Sequence, residues 1–73
     1  MAQLTHAQYE VLERALVDGT RVAFRRSGRR ETIVIPQRLR LLKGREAIEA
    51  RHPTTGQELT IYLDDIESFE VVR

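Results

Sequence analysis

The apolar residues of this chain change period at Gly19. Before it, Tyr9, Leu12 and Leu16 recur at helical spacing, with Val11 and Ala15 flanking the stripe. After it the period is two: Val22 and Phe24 alternate with Arg21, Ala23 and Arg25, and Leu59, Ile61 and Leu63 alternate again further on. One helix followed by strands is thereby prescribed. The helix also carries its own boundary signals. Thr5 and Gln8 have capping-box spacing, and Leu4 stands where it can staple onto Tyr9. Asp18-Gly19 then supplies a residue that tolerates the left-handed conformation past a helix end. The predicted helix runs from about Thr5 to Val17.

Turn residues divide the remainder. Ser27-Gly28 reads as a tight hairpin turn, and the chain returns through Thr32-Ile33-Val34-Ile35. Pro36 cannot donate a ladder hydrogen bond, so it marks a bend or an edge. Beyond it Leu39 and Leu41 alternate with arginines, and Lys43-Gly44 turns into a strand carrying Ala47 and Ile48. Pro53-Thr54-Thr55-Gly56 is a turn by composition, Asp64-Asp65 breaks the next strand, and Ser68 to Val72 forms the last. The fold class is mainly β with one N-terminal helix: a five-stranded small barrel, closed or nearly so, with the helix packed on it. Alternation places Val22, Phe24, Ile33, Ile35, Leu39, Ile48, Leu59, Ile61, Leu63, Ile66, Phe69 and Val71 inside it, with Leu12 and Leu16 buried from the helix.

Seventy-three residues make one domain, read as residues 4–72, with a thin core that buries only about 60% of the unfolded surface. With no cysteine, neither a disulfide nor a thiolate metal site can reinforce that core, and no thiol nucleophile exists. Small extracellular domains usually need such staples, so a cytoplasmic location is expected. The start Met1-Ala2-Gln3-Leu4 opens no apolar run of signal-peptide length, and no stretch has the composition of a membrane span. The chain is expected to be complete.

Charge is segregated along the sequence. Nine of the ten charged residues between Gly19 and Arg45 are basic, and seven of the nine from Glu46 to Arg73 are acidic. A field of that kind steers anions to one surface and cations to another. Eleven of the twelve basic residues are arginine, the side chain suited to bidentate contact with phosphate or carboxylate; GC-rich codon usage gives the same ratio. With Ser27-Gly28 as a two-residue turn, Arg26 faces Arg29 and Arg25 faces Arg30, an opposition costing up to about 1 kcal/mol per pair. A bound phosphate converts that repulsion into charge-assisted hydrogen bonds. The bland counterpart is a solvated hairpin tip with splayed arginines.

Ala15 to Val72 resembles the WYL domain of bacterial transcription regulators, a barrel of Sm-like (SH3-like) fold. The resemblance is carried by Leu12-Glu13-Arg14-Ala15-Leu16, Arg21-Val22-Ala23-Phe24, Ile35-Pro36-Gln37-Arg38-Leu39 and Leu63-Asp64-Asp65-Ile66-Glu67-Ser68-Phe69-Glu70-Val71. It implies a regulatory binding module with an Sm-like barrel. Glu46-Ala47-Ile48 stands where that family has Trp-Tyr-Leu, and Leu59, Tyr62 and Asp65 stand where it tends to place arginines, so its ligand site is not carried over. A second resemblance is to the Rho-binding antiterminator family, on Tyr9 with Leu12-Glu13-Arg14-Ala15 and on Leu63-Asp64-Asp65-Ile66-Glu67-Ser68-Phe69. It implies an acidic surface offered to a basic protein.

The candidate anion site, for nucleic acid above all, is therefore Arg21, Arg25, Arg26, Arg29 and Arg30, assisted by Arg38 and Arg40. The alternative protein-binding face is Asp64, Asp65, Glu67 and Glu70, and self-association between the two charged halves is a third possibility. Of the four aromatic residues only Tyr62 points outward by alternation, so nucleic-acid contact is expected to be to the backbone and weakly sequence-selective. No serine or carboxylate stands in sequence where it could partner His6 or His52, and there is no glycine-rich phosphate loop or metal-binding histidine pair. The acids match no metal loop. Neither catalysis nor a cofactor is expected.

Overall fold

A computed structural model describes residues 4–72. Helix α1 (His6–Asp18) starts on a complete capping box: Thr5 Oγ1 accepts from Gln8 N at 3.1 Å, and Gln8 Oε1 accepts from Thr5 N at 2.9 Å. It stops at Gly19, whose φ of 68° lets the N–H turn back to the Ala15 carbonyl. The face it buries is Leu12 and Ala15, with Leu4 and Tyr9 packed against the same core. Leu16, expected to be as buried as Leu12, is only half-buried. The contact runs along the i, i+3 line from Leu12 to Ala15, and Leu16 sits one position round, on its flank.

Five antiparallel strands follow: β1 (Val22–Arg26), β2 (Thr32–Leu42), β3 (Arg45–Arg51), β4 (Glu58–Tyr62) and β5 (Ile66–Val71), in the sheet order β4-β3-β2-β1-β5. A single 3₁₀ turn, Leu63–Asp65, joins β4 to β5. The barrel-like curl comes from β2. Its first residues pair with β1, from Phe24↔Thr32 to Val22↔Val34, and the rest pair with β3, from Ile35↔Arg51 to Leu42↔Arg45. The register shifts between Pro36 and Arg38, and a bulge at such a place bends the strand and increases its twist.

That bulge corrects the predicted interior. Residues paired across an antiparallel ladder share a face, so Val22↔Val34 turns Val34 inward, fully buried, and leaves Ile33 41% exposed opposite Ala23. Pro36 is fully buried in the same phase. The extra residue in the bulge then flips the alternation, so Leu39 packs on the core opposite Ile48 as expected. Val22, Phe24, Ile48, Ile61, Leu63 and Ile66 are buried as predicted, and Leu59, Phe69 and Val71 are half-buried against the core; Ile35, also predicted inside, shares the outward phase of Ile33 and is half-buried away from the core. Ala23 and Ala47, on the outer face, are also buried, being small and flanked by larger neighbours.

Ser27-Gly28 is the turn that the sequence predicts, and the ladder beyond it is one residue out of the expected register. Arg29 N donates to the Arg26 carbonyl at 3.1 Å, with Gly28 at φ 71° in the third turn position, which requires a positive φ. The ladder resumes only at Phe24↔Thr32. No β1–β2 pair lies beyond Phe24↔Thr32 toward the tip, so the predicted opposition of Arg25 and Arg30 is not part of the ladder.

Candidate anion-binding surface

Strand pairing folds the charge segregation of the sequence back on itself. β2 lies against β3, and Glu49 takes both Arg38 (3.2 Å) and Arg40 (2.8 Å). β1 lies against β5, where Arg25 Nε is 4.0 Å from Glu67. Arg45, at the start of β3, reaches the 3₁₀ turn and binds Asp64 through two parallel bonds, Nε to Oδ2 at 3.1 Å and Nη2 to Oδ1 at 2.6 Å, with Asp65 at 3.8 Å from the same nitrogen. This fork geometry is the strong form of an arginine–carboxylate contact, and Arg45 holds the Asp64 carboxyl below its ordinary value. The others are exposed pairs, worth about 0–1 kcal/mol each. What they decide is which arginines are already occupied.

The hairpin tip stands apart. Among the described residues, Arg26, Arg29 and Arg30 have no carboxylate within 4.0 Å. Arg29 and Arg30 are exposed and line one concavity with Arg25, Gly28, Glu31 and Glu67. Arg26 behaves differently because the β1–β5 register shifts between Arg25 and Arg26. It pairs with the buried Ile66, is half-buried, and its Nε has no hydrogen-bond partner. The tip is fixed from below: Ser27 N donates to the Asp65 carbonyl at 3.0 Å, and Ser27 Oγ lies 3.4 Å from Glu67 Oε2. Arg21 is at the opposite end of β1, where its carbonyl accepts from Val72 N.

The seven arginines singled out from the sequence thus divide three ways. Arg25, Arg29 and Arg30 line one concavity, with Arg26 next to it in the chain but half-buried; Arg38 and Arg40 share Glu49 on the β2–β3 face; Arg21 stands alone. Of the acidic candidates, Asp64 and Asp65 face Arg45, Glu67 faces Arg25 and Ser27, and Glu70 is exposed opposite Ala23. Sequence reasoning missed Arg45, whose role depends on a turn nineteen residues away. It also missed the state of Tyr62, which is half-buried with the Arg45 guanidinium carbon 3.9 Å above its ring centre. Tyr9 is engaged too, donating to Glu46 Oε2 at 2.8 Å; the carboxylate, with some help from burial, holds the phenol above its usual value. Phe24 and Phe69 pack together inside, with ring centres 5.9 Å apart.

Among the described residues no group of three or more side chains is arranged to hold a metal ion, and no helix is long and apolar enough to cross a membrane. No family model and no curated protein matches the chain. Among solved structures, proteasome accessory factor B/C (PafBC) of Arthrobacter aurescens is similar, with a TM-score of 0.76 and 24% identity, over 96% of this chain. The matched region is 12% of that protein's length. The likeness concerns the fold: it supports a WYL-like barrel with its leading helix and lends no support to the antiterminator resemblance.

Proposed function

We infer that the chain is a non-catalytic, cytoplasmic regulatory module that grips the backbone of a nucleic acid through the tip of its first hairpin. The observation that carries this reading is the contrast in occupancy: Arg38, Arg40 and Arg45 are tied to carboxylates, whereas Arg29 and Arg30 line one concavity with Arg25 and form no ion pair there, although Glu31 and Glu67 line it too. Cations in excess of their counter-charges repel one another, and a phosphate relieves that repulsion by charge-assisted hydrogen bonding. A WYL-like barrel supports a regulatory setting. The reading in which Asp64, Asp65, Glu67 and Glu70 receive a basic protein has less support, because three of those four are already engaged inside the chain.

The test is the salt dependence of binding to a single-stranded oligonucleotide. Log affinity against log salt should fall with a slope of about −0.7 per phosphate neutralised. Replacing Arg29 and Arg30 together with alanine should flatten the slope by up to about 1.4 and weaken binding equally across sequences, because backbone contacts do not specify. Absence of binding at low salt by the wild-type chain would refute the reading.

A further inference from the structure

We propose that the guanidinium of Arg45, lying on Tyr62, is a stacking platform for one base of a single-stranded nucleic acid. The proposal rests on the nucleic-acid reading above and deepens it: the tip takes phosphates and this platform takes a base.

Three features of the pair make it a platform as well as a strut. First, the edge of the guanidinium is occupied by Asp64 in the two-bond geometry, and one face lies on the Tyr62 ring. With edge and one face engaged, the remaining surface is flat, and the side chain is still 45% exposed. Arginine planes and aromatic rings are the surfaces on which unstacked bases are received. Second, the paired Asp64 offsets the charge of Arg45, so the surface favours a π-face over a bare phosphate. The side chain is also already immobilised, so little conformational entropy remains to be lost on stacking. Third, the flank is low. Arg40, Ala47 and Tyr62 form one row across β2, β3 and β4, and the methyl of Ala47 is fully buried between its larger neighbours.

The platform is also continuous with the tip. The 3₁₀ turn Leu63–Asp65 holds Arg45 through the carboxylates of Asp64 and Asp65, and it holds the hairpin through the Asp65 carbonyl and Ser27 N. Tip and platform therefore flank one short turn. A strand whose phosphates engage Arg29 and Arg30 has a stacking surface within its next few nucleotides. A role confined to tying β3 to the turn accounts for the Asp64 contact, but it predicts no preference for bases.

The experiment compares two probes of equal length and charge: a single-stranded oligothymidylate and the same backbone without bases. Wild-type protein should bind the base-bearing probe about tenfold more tightly, in the range that one stacked base supplies. Arg45→Lys keeps the charge and the reach to Asp64 but removes the plane. With it the two affinities should converge while the salt slope stays as it was. Tyr62→Leu should do the same, and Tyr62→Phe should keep the preference. Equal binding of both probes by the wild-type chain overturns the platform and leaves the phosphate reading standing. A base preference that survives both Arg45→Lys and Tyr62→Leu places the base elsewhere and also overturns it. Binding of neither probe at low salt overturns both proposals.

Discussion

Leu12→Ala tests whether α1 is part of the core. Leu12 is fully buried and belongs to the one cluster that contains Phe24, Val34, Ile48 and Ile61. The substitution removes three carbons, worth roughly 2.4 kcal/mol at about 0.8 kcal/mol per buried methylene. The cavity left behind adds to that, placing the expected loss at about 3–4 kcal/mol within the usual leucine-to-alanine range. A domain of this size has a total stability of only about 4–11 kcal/mol, and 1 kcal/mol moves its midpoint by about 4–8 °C. Thermal unfolding followed by circular dichroism should therefore drop by more than about 12 °C. Leu16→Ala is the control, because the half-buried side chain has less transfer free energy to lose and no enclosed cavity to leave; about 1–2 kcal/mol is expected. Equal losses for the two variants, or an unchanged midpoint for Leu12→Ala, would refute the helix orientation described here.

Three further outcomes are expected. Glu67→Gln releases Arg25, so oligonucleotide binding should tighten and the salt slope should steepen by about 0.7; an unchanged slope would remove Arg25 from the site. Because the Arg45 partner lowers the folded-state value of Asp64, the unfolded chain binds more protons as pH falls. The stability from this pair is present above the ordinary aspartate range and is lost as pH drops through the lower folded value. The gap in urea midpoint between wild type and Asp64→Asn should accordingly be clear at pH 7 and close toward strong acid. His52 Nδ1 accepts from Thr54 N (3.2 Å) and Thr55 N (3.3 Å). His52→Ala should therefore speed hydrogen exchange at both amides, while His52→Asn, which restores an acceptor, should speed it less.

What could be read in the sequence was what is local. The cap at Thr5, the stop at Gly19 and the turns at Gly28 and Gly44 each depend on a few neighbouring residues, and the strand count followed from them. The face of Ile33 could not be read, because Thr32 to Ile35 is a continuous β-branched run with no charged residue to set its phase. The phase comes from Val22↔Val34, and the residue taken up after Pro36 leaves no mark beyond the proline itself. At the candidate site, a run of arginines shows that cations are present but not which of them are neutralised. The decisive partners, Glu49 for Arg38 and Arg40, Asp64 for Arg45 and Glu67 for Arg25, come from other strands and the 3₁₀ turn.

The sheet order has one more consequence, which concerns how copies of this chain meet. The strands at its two ends, β4 and β5, carry Glu58, Glu67 and Glu70 and not one cation, while β1 and β2 in the middle carry Arg25, Arg26, Arg38 and Arg40. Sheet edges are where separate molecules join into larger sheets, and here every such meeting brings carboxylates against carboxylates. One distribution of charge thus opposes edge-to-edge joining between copies of this chain.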